Sequence, residues 1–376
     1  MTAVLPSKDI ANGLVLYMAM ELSNKKWKLG FSNGSKVRQV TIESGDWVAL
    51  TGAVKQAHGK LGLAPDCQVY SCYEAGRDGF WVHRALHAAG INNRVIDSSS
   101  IEVNRRRRRA KTDSVDVHAL LRLLQRYLGG ERGVMSVVRV PTAEEEDRRR
   151  LHRERERLLK ERGAHSARVK SLLVVQGIRI SLGRDFGAQL ERLQGARGEA
   201  LGEDAKAELR REYERYQLVH EQIKTLEAEQ KRRAQRADHQ TLRQINQLML
   251  LKGVGWQSSW PLVMEFFGWR EFNNRRELGA CAGLTPTPYD SGASRREQGI
   301  SKAGNRRIRR LLVELSWFWL RYQPKSALSQ WFGRRFAQGG KRLRRIGIVA
   351  LARKLLIALW RYLKDGVLPE GAALTA

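Results

Sequence analysis

The chain has 376 residues, with 68 Lys and Arg against 39 Asp and Glu, a formal charge of +29 and a pI near 10.7. A surplus of that size draws polyanions through counterion release and exceeds what solubility asks for, so it points to nucleic acid. Three cysteines (Cys67, Cys72, Cys281) make no disulfide framework, the first residues hold no signal-peptide core, and the longest apolar run, Ile346 to Trp360, is broken by Arg353 and Lys354; a secreted scaffold and a membrane span are both excluded, and a reducing cytoplasm is expected.

In chain order, Leu14 to Met20 is an apolar run that ends on Glu21. Trp27 to Phe31 and Val37 to Ile42 read as short strands separated by Asn and Gly turns. Residues 46–62 read as a helix, Gln68 to Tyr73 as a strand ending on Glu74, Phe80 to Ala89 as a helix and Arg94 to Ile96 as a strand. Asp113 to Leu128 has apolar residues at helical spacing, at Val117, Leu120, Leu121 and Leu124. Three strands, then helix, strand, helix, strand and helix make an α/β domain with a mixed sheet over residues 1–142.

Residues 143–240 are dense in charge and nearly free of proline. Leu209, Tyr216 and Ile223 share one heptad position, with Val219 and Leu226 three residues after the last two, so the spacing predicts a helical coiled-coil arm. Its long helices fold back on each other or on a partner chain; a solvated spacer is the blander alternative. A seam left open would expose Tyr216, Ile223 and Leu226, which predicts a homodimer, or a tetramer on nucleic acid.

Residues 241–376 are globular and mainly helical. Gly253-Val254-Gly255 between apolar flanks suits a helix-hairpin-helix turn that meets a phosphate, or an ordinary connection between two helices. Gly283-Leu284-Thr285-Pro286 leads into a loop from Thr287 to Glu297, then Ser301-Lys302-Ala303-Gly304, then a basic helix from Ile308 to Tyr322.

Two groups of residues carry candidate chemistry. Glu21 and Glu74 end strands, and Asp113 and Asp116 lie three apart on a helix, so four carboxylates can converge where the first and fourth strands of a ribonuclease-H-like sheet are neighbours. Such a cluster repels itself unless a hard cation binds, which predicts Mg²⁺ or Mn²⁺ against a nucleic-acid phosphate. A solvated helix face is the alternative for the aspartate pair. The basic run Arg105, Arg106, Arg107, Arg108 and Arg109, with Lys111, stands beside it. The second group is Ser291, an ordinary turn residue by local pattern, but followed by Arg295, Arg296, Lys302, Arg306 and Arg307, which could hold a scissile phosphate.

These motifs together resemble the IS110 family of insertion-sequence transposases, which includes the IS1111 group and the Piv invertase. YEAG at 73–76 and KTDSVD at 111–116 resemble the family's second, third and fourth acids, which places them at Glu74, Asp113 and Asp116. MELSNKKWKLGF at 20–31 puts Glu21 where the family usually has Asp, one methylene shorter. GLTP, Ser291-Gly292 and SKAG follow in the family's order, and its catalytic serine maps to Ser291. The resemblance implies an N-terminal RuvC-like domain, a C-terminal transposase domain and a covalent serine–DNA intermediate. It also implies a structured guide RNA that pairs with donor and target DNA, and a site assembled from two subunits. A Holliday-junction-type metal-dependent nuclease and a decayed, non-catalytic nucleic-acid-binding relative are the other two readings.

Overall fold

The computed structural model describes residues 15–101, 113–183, 185–291 and 294–375, with residues 99, 113–115, 290–291 and 294–297 described by their backbone alone. Arg105 to Arg109 and Lys111 lie outside the described residues. The chain divides into two compact units, Met1–Pro141 and Thr142–Ala376.

The first unit is a mixed α/β layer. Strands β1 (Leu16–Leu22), β2 (Lys26–Ser32), β3 (Val37–Glu43), β4 (Val69–Glu74) and β5 (Asn92–Ile96) form one sheet in the order β3-β2-β1-β4-β5. The first three are joined as antiparallel neighbours, whereas β1, β4 and β5 run parallel. Helices α1 (Trp47–Lys60) and α2 (Trp81–Ala88) supply the crossover segments. Asp46 caps α1 by accepting from the Ala49 amide.

The sheet's two faces follow from the period-two alternation of strand side chains. Leu16, Met18 and Met20 of β1 join Trp27, Leu29 and Phe31 in the core shared with α1 and α2. There Trp27, Trp47 and Trp81 meet pairwise at 5.8–5.9 Å between ring centroids. Tyr17 and Ala19 face the other way, with Cys72 of β4, against helix α3 (Asp113–Leu128) and its Val117, Leu120, Leu121 and Leu124. Burial on both faces explains why β1 reads as a continuous apolar run rather than an alternating one.

The second unit holds the arm and a mainly helical body. After α4 (Ala143–Asp147), the long helices α5 (Arg150–Val175) and α7 (Glu203–Arg236) pack against each other, with the short α6 (Phe186–Leu190) between them in sequence. Leu158 of α5 is buried with Val219 and Ile223 of α7, and Val169 and Leu173 with Leu209 and Tyr213. The heptad stripe therefore finds its partner inside the same chain. Ile223 is buried and Tyr216 and Leu226 are partly buried there. Polar pairs stitch its flanks, including Arg155 to Glu227, His165 to Glu212 and Arg168 to Glu208.

The body comprises α8 (Gln240–Met249), α9 (Trp256–Leu262) running into a π-helical turn (Val263–Phe267), α10 (Arg275–Cys281), the hairpin β6 (Pro286–Ser291) and β7 (Ser294–Ile300), α11 (Arg306–Tyr322), α12 (Ala327–Phe336) and α13 (Lys341–Asp365). Its core is drawn from α8, α9, α11 and α13. The segment expected as a loop from Thr287 to Glu297 is a β-hairpin instead. Its charged sequence hides the strands because no apolar alternation marks a ribbon outside the core. Gly253-Val254-Gly255 joins two helices, and Trp256 is the first residue of the second.

Helix α3 sits close on the sheet because Gly30 has no side chain. A Cβ at that position would lie 2.2 Å from a Val117 methyl. Gly30→Ala should therefore push α3 off the sheet, costing about 1–3 kcal/mol as an overpacked core. A urea unfolding curve reads this as a lower midpoint at unchanged slope; an unchanged midpoint would refute the close packing.

Candidate active site and nucleic-acid interface

The parallel pairing of β1 with β4 sets Met20 beside Tyr73, so the next residues, Glu21 and Glu74, emerge together at the carboxyl ends of neighbouring strands. The alternation that buries Tyr17, Ala19 and Cys72 under α3 gives Glu21 and Glu74 the same parity. Both therefore belong to the face that α3 covers. They line one cleft of about 650 Å³, which Asp78, Lys25 and Arg77 also border. The β4 end is held by local bonds: the Ala75 amide donates to Ile96 O at 2.8 Å and the Tyr73 hydroxyl to Gly79 O at 3.0 Å.

The direction of α3 brings its first turn toward the same end. Gln125 Nε2 donates to Ser32 Oγ at 2.9 Å, and Ser32 pairs with Tyr17 near the start of β1. Val117 lies over Gly30, which pairs with Ala19. Following the helix back to its start thus moves along β1 toward Glu21. Asp116 precedes Val117, and Asp113 stands one turn earlier on the stripe that contains Val117 and Leu120. Glu21 and Glu74 thus leave neighbouring strand ends on one face, and the α3 backbone that carries Asp113 and Asp116 runs toward that end. Among the described residues no three His, Cys, Asp or Glu side chains form a group able to hold a metal ion. The donor set is carboxylate oxygen throughout, which fits a hard divalent cation. His83 meets Asn93 at 2.9 Å, and burial, then His87 and nearby arginines, push its pKa down to about 4.

In the second unit the motif segments knit into one mount. The Ser301 amide donates to Thr285 O at 2.8 Å, Lys302 to Gly283 O at 3.2 Å and Asn305 to Cys281 O at 2.8 Å. Gly283 and Gly304 both have positive φ, +67° and +93°, and a Cβ on either would lie within 2.4 Å of a carbonyl oxygen across the joint. Only glycine permits that backbone approach. Lys302 between them also takes a left-handed φ of 56°, a strained position for a side-chain-bearing residue. From this base the β6–β7 hairpin projects, and its last pair is Ser291 with Ser294. Ser291, Arg295 and Arg296 therefore share the outer half of one ribbon. Lys302 and Arg306 are exposed at its base.

Arg307 differs from its neighbours. It is bound to Glu156 of α5 and reaches Glu265 at 3.3 Å, so its charge is committed within the unit. Glu265, in the π-helical turn, is 2% exposed. Arg153 grips it with Nε and Nη2 at 2.6 and 2.8 Å, and His152 Nε2 donates at 2.7 Å. Burial pushes the Glu265 pKa up, but the Arg153 and His152 hydrogen bonds outweigh it and the carboxyl stays far below its usual range. Burial lowers the His152 pKa more than Glu265 raises it, so that ring is neutral, with Nδ1 buried and unpartnered. Sequence reasoning missed this cluster; its one signal was an acid inside the apolar run Leu262 to Phe267.

The description "Transposase IS116/IS110/IS902 family" matches residues 245–331, which span the hairpin mount. The chain is 41% identical, over 376 aligned positions, to a Sinorhizobium fredii protein named as a transposase, y4rJ, covering 96% of this chain and 94% of that one. It is 28% identical over 254 positions to the transposase for insertion sequence element IS1328 of Yersinia enterocolitica, covering 66% of this chain and 71% of the relative. The chain belongs to the IS116/IS110/IS902 family of transposases, and DNA is its substrate. No helix among the described residues is long and apolar enough to cross a membrane.

Glu265→Gln should cost about 1.5–3 kcal/mol, because it removes the charged acceptor that Arg153, Arg307 and His152 share. The wild type should lose stability as pH falls. His152, with its folded pKa depressed, contributes above its unfolded pKa and loses this as pH drops through about 6.5. Glu265, depressed further, contributes above about 4.3 and loses it below. Thermal melts from pH 8 to 3 should show the lower step vanish in Glu265→Gln; an identical acid profile in that variant would refute the assignment.

Proposed function

We propose that this transposase is an RNA-guided recombinase that cuts and rejoins DNA through a covalent bond to Ser291, aided by a divalent cation held by Glu21, Glu74, Asp113 and Asp116. The observation that carries the reading is the shared sheet end: two carboxylates of equal parity on paired parallel strands, with the acidic first turn of α3 directed toward them. The strand order β3-β2-β1-β4-β5, with its antiparallel-then-parallel connections, supports a RuvC-like assignment for this unit. The +29 charge supports a second polyanion besides DNA, a structured guide RNA.

In the proposed step the Ser291 Oγ attacks a DNA phosphorus. The serine hydroxyl gives up its proton as the P–Oγ bond forms, the bond to the leaving strand's oxygen breaks, and that oxygen takes up a proton to become a hydroxyl, so the proton count is unchanged. A hydroxyl of the incoming strand then attacks the same phosphorus and releases the serine, so the phosphodiester energy is conserved without ATP. Arg295, Arg296, Lys302 and Arg306 are the cations of the hairpin and its base that could hold the phosphate. Mg²⁺ or Mn²⁺ bound to the carboxylates would supply charge stabilisation at the phosphate oxygens. Glu21 reaches one methylene further than Asp, which its place at the strand end accommodates. The active assembly is proposed to be a dimer, or a tetramer on nucleic acid.

Ser291→Ala should bind DNA and RNA like the wild type yet neither cleave nor join, and wild-type enzyme with labelled DNA should carry label, after denaturation, on the peptide containing Ser291. Glu74→Ala, Asp116→Ala or excess chelator should abolish recombination with the fold intact, and RNase treatment should remove sequence-specific recombination. Recombination by Ser291→Ala at wild-type rate would overturn the serine chemistry. Cleavage without any adduct would mark a hydrolytic junction nuclease instead.

A further inference from the structure

Between Glu314 and Asp365 the chain has twelve Lys and Arg and no Asp or Glu. Six of these cations crowd one turn. Arg334 and Arg335 close α12, and Lys341, Arg342, Arg344 and Arg345 open α13, on either side of Gln338-Gly339-Gly340. All six are exposed, and none has an ion pair or side-chain hydrogen bond among the described residues. The two helices are fixed together beneath them by buried Phe332, Phe336, Ile348 and Leu351. The cations therefore stand on a rigid pair of helices rather than on a loose tail.

The blander account, a solvated charged surface, fits the arm. There Arg157 pairs with Glu161, Arg168 with Glu208 and Arg210 with Glu191, so charge is dense but neutralised. At the α12–α13 turn no acid among the described residues pairs with the cations. The first turn of α13 holds no acidic residue and has Gly340 as an N-cap without a side-chain bond. Cations at a helix start also oppose the helix dipole. Like charges repel there and the backbone field adds to the repulsion, an arrangement that an external polyanion relieves. The turn lies beyond residues 245–331, outside the stretch that the family description matches.

We propose that the α12–α13 turn is a docking face for the phosphate backbone of duplex DNA, separate from the hairpin that carries Ser291. Duplex DNA is the occupant because it is the substrate that membership of the family supplies. The interaction is sequence-independent and orients the substrate. It does not rest on the serine chemistry, since binding is measured without cleavage.

The test is fluorescence anisotropy of full-length protein with a labelled 30-base-pair duplex and, in parallel, a labelled RNA hairpin, in chelator, across a salt series. Lys341→Gln/Arg342→Gln/Arg344→Gln/Arg345→Gln should weaken duplex binding at least tenfold near 150 mM salt and flatten the slope of log K against log salt by roughly 2–4, at about 0.9 for each phosphate no longer neutralised. Arg342→Lys/Arg344→Lys/Arg345→Lys, which keeps the charge, should retain both affinity and slope, and Arg157→Gln/Arg168→Gln on the arm should leave the slope in place. Unchanged duplex affinity and slope in the glutamine variant, a loss confined to the RNA hairpin, or an equal loss in the arm variant would overturn the proposal. Should the quadruple variant not fold by circular dichroism, Arg334→Gln/Arg335→Gln is read by the same slope, with an expected flattening of roughly 1–2.

Discussion

One carboxylate with almost no access to solvent, Glu265, ties the start of α5 to the start of α11, and the organisation of the second unit depends on it. His152 and Arg153 come from α5, Arg307 from the turn that follows the Ser301-to-Gly304 segment. A lone carboxylate would not ionise in such a place; three basic partners make the charged form the stable one. The same cluster fixes where the arm leaves the body and where α11 begins. Because Asn305 caps α11 and its amide also bonds to Cys281 O, the register of α11 is passed directly to the mount of the hairpin. Arg149 joins the same neighbourhood by stacking on Trp269, whose other near cation is Arg270. The basic surplus is thus partly inward, used as structural glue around one buried acid.

The surplus is handled differently in each region. Around Glu265 partly exposed cations are matched to a buried acid, and along the arm they are exposed and matched across or along the helices. At the α12–α13 turn they are exposed and unmatched. The net charge of +29 says only that polyanions are attracted. The division decides where, because a matched pair gives little net field at a distance while unmatched cations on rigid helices do. Counting lysines and arginines ranks the arm with the C-terminal helices; their partners separate the two.

Much of the first unit was legible in the sequence, for a physical reason. Apolar runs of strand length, Asn and Gly turns and a helical stripe at Val117, Leu120, Leu121 and Leu124 are local signals, and β1 to β5 and α3 fall where those signals stand. The strand-end positions of Glu21 and Glu74 were equally visible. Their shared face was not, since parity gains meaning only when the layer covering each face is known. The heptad stripe showed that Ile223 would be buried. It could not show that Leu158 of the same chain would bury it, because periodicity identifies a covered face and not its cover. The β6–β7 hairpin was illegible because it meets the core at Ile300, the end of β7, and carries charges where a strand usually alternates. The grouping of His152, Arg153, Glu265 and Arg307 was also illegible, being spread over 156 positions of sequence numbering from His152 to Arg307.

The hairpin mount shows how backbone geometry and candidate chemistry are joined. Gly283 and Gly304 belong to different motifs, and each lets its own loop press a carbonyl of the other closer than any Cβ would allow. Lys302 is held at positive φ between them, at a cost of about 1–3 kcal/mol that surrounding backbone bonds must offset. Those bonds, from Ser301, Lys302 and Asn305 to Thr285, Gly283 and Cys281, pin both roots of a ribbon that has no core of its own. A two-stranded ribbon alone is marginal in water. Anchoring both roots next to α10 and α11 fixes the base of such a ribbon. At those roots the glycines permit the close backbone approach, while Lys302 and Arg306 place charge at the base of the ribbon.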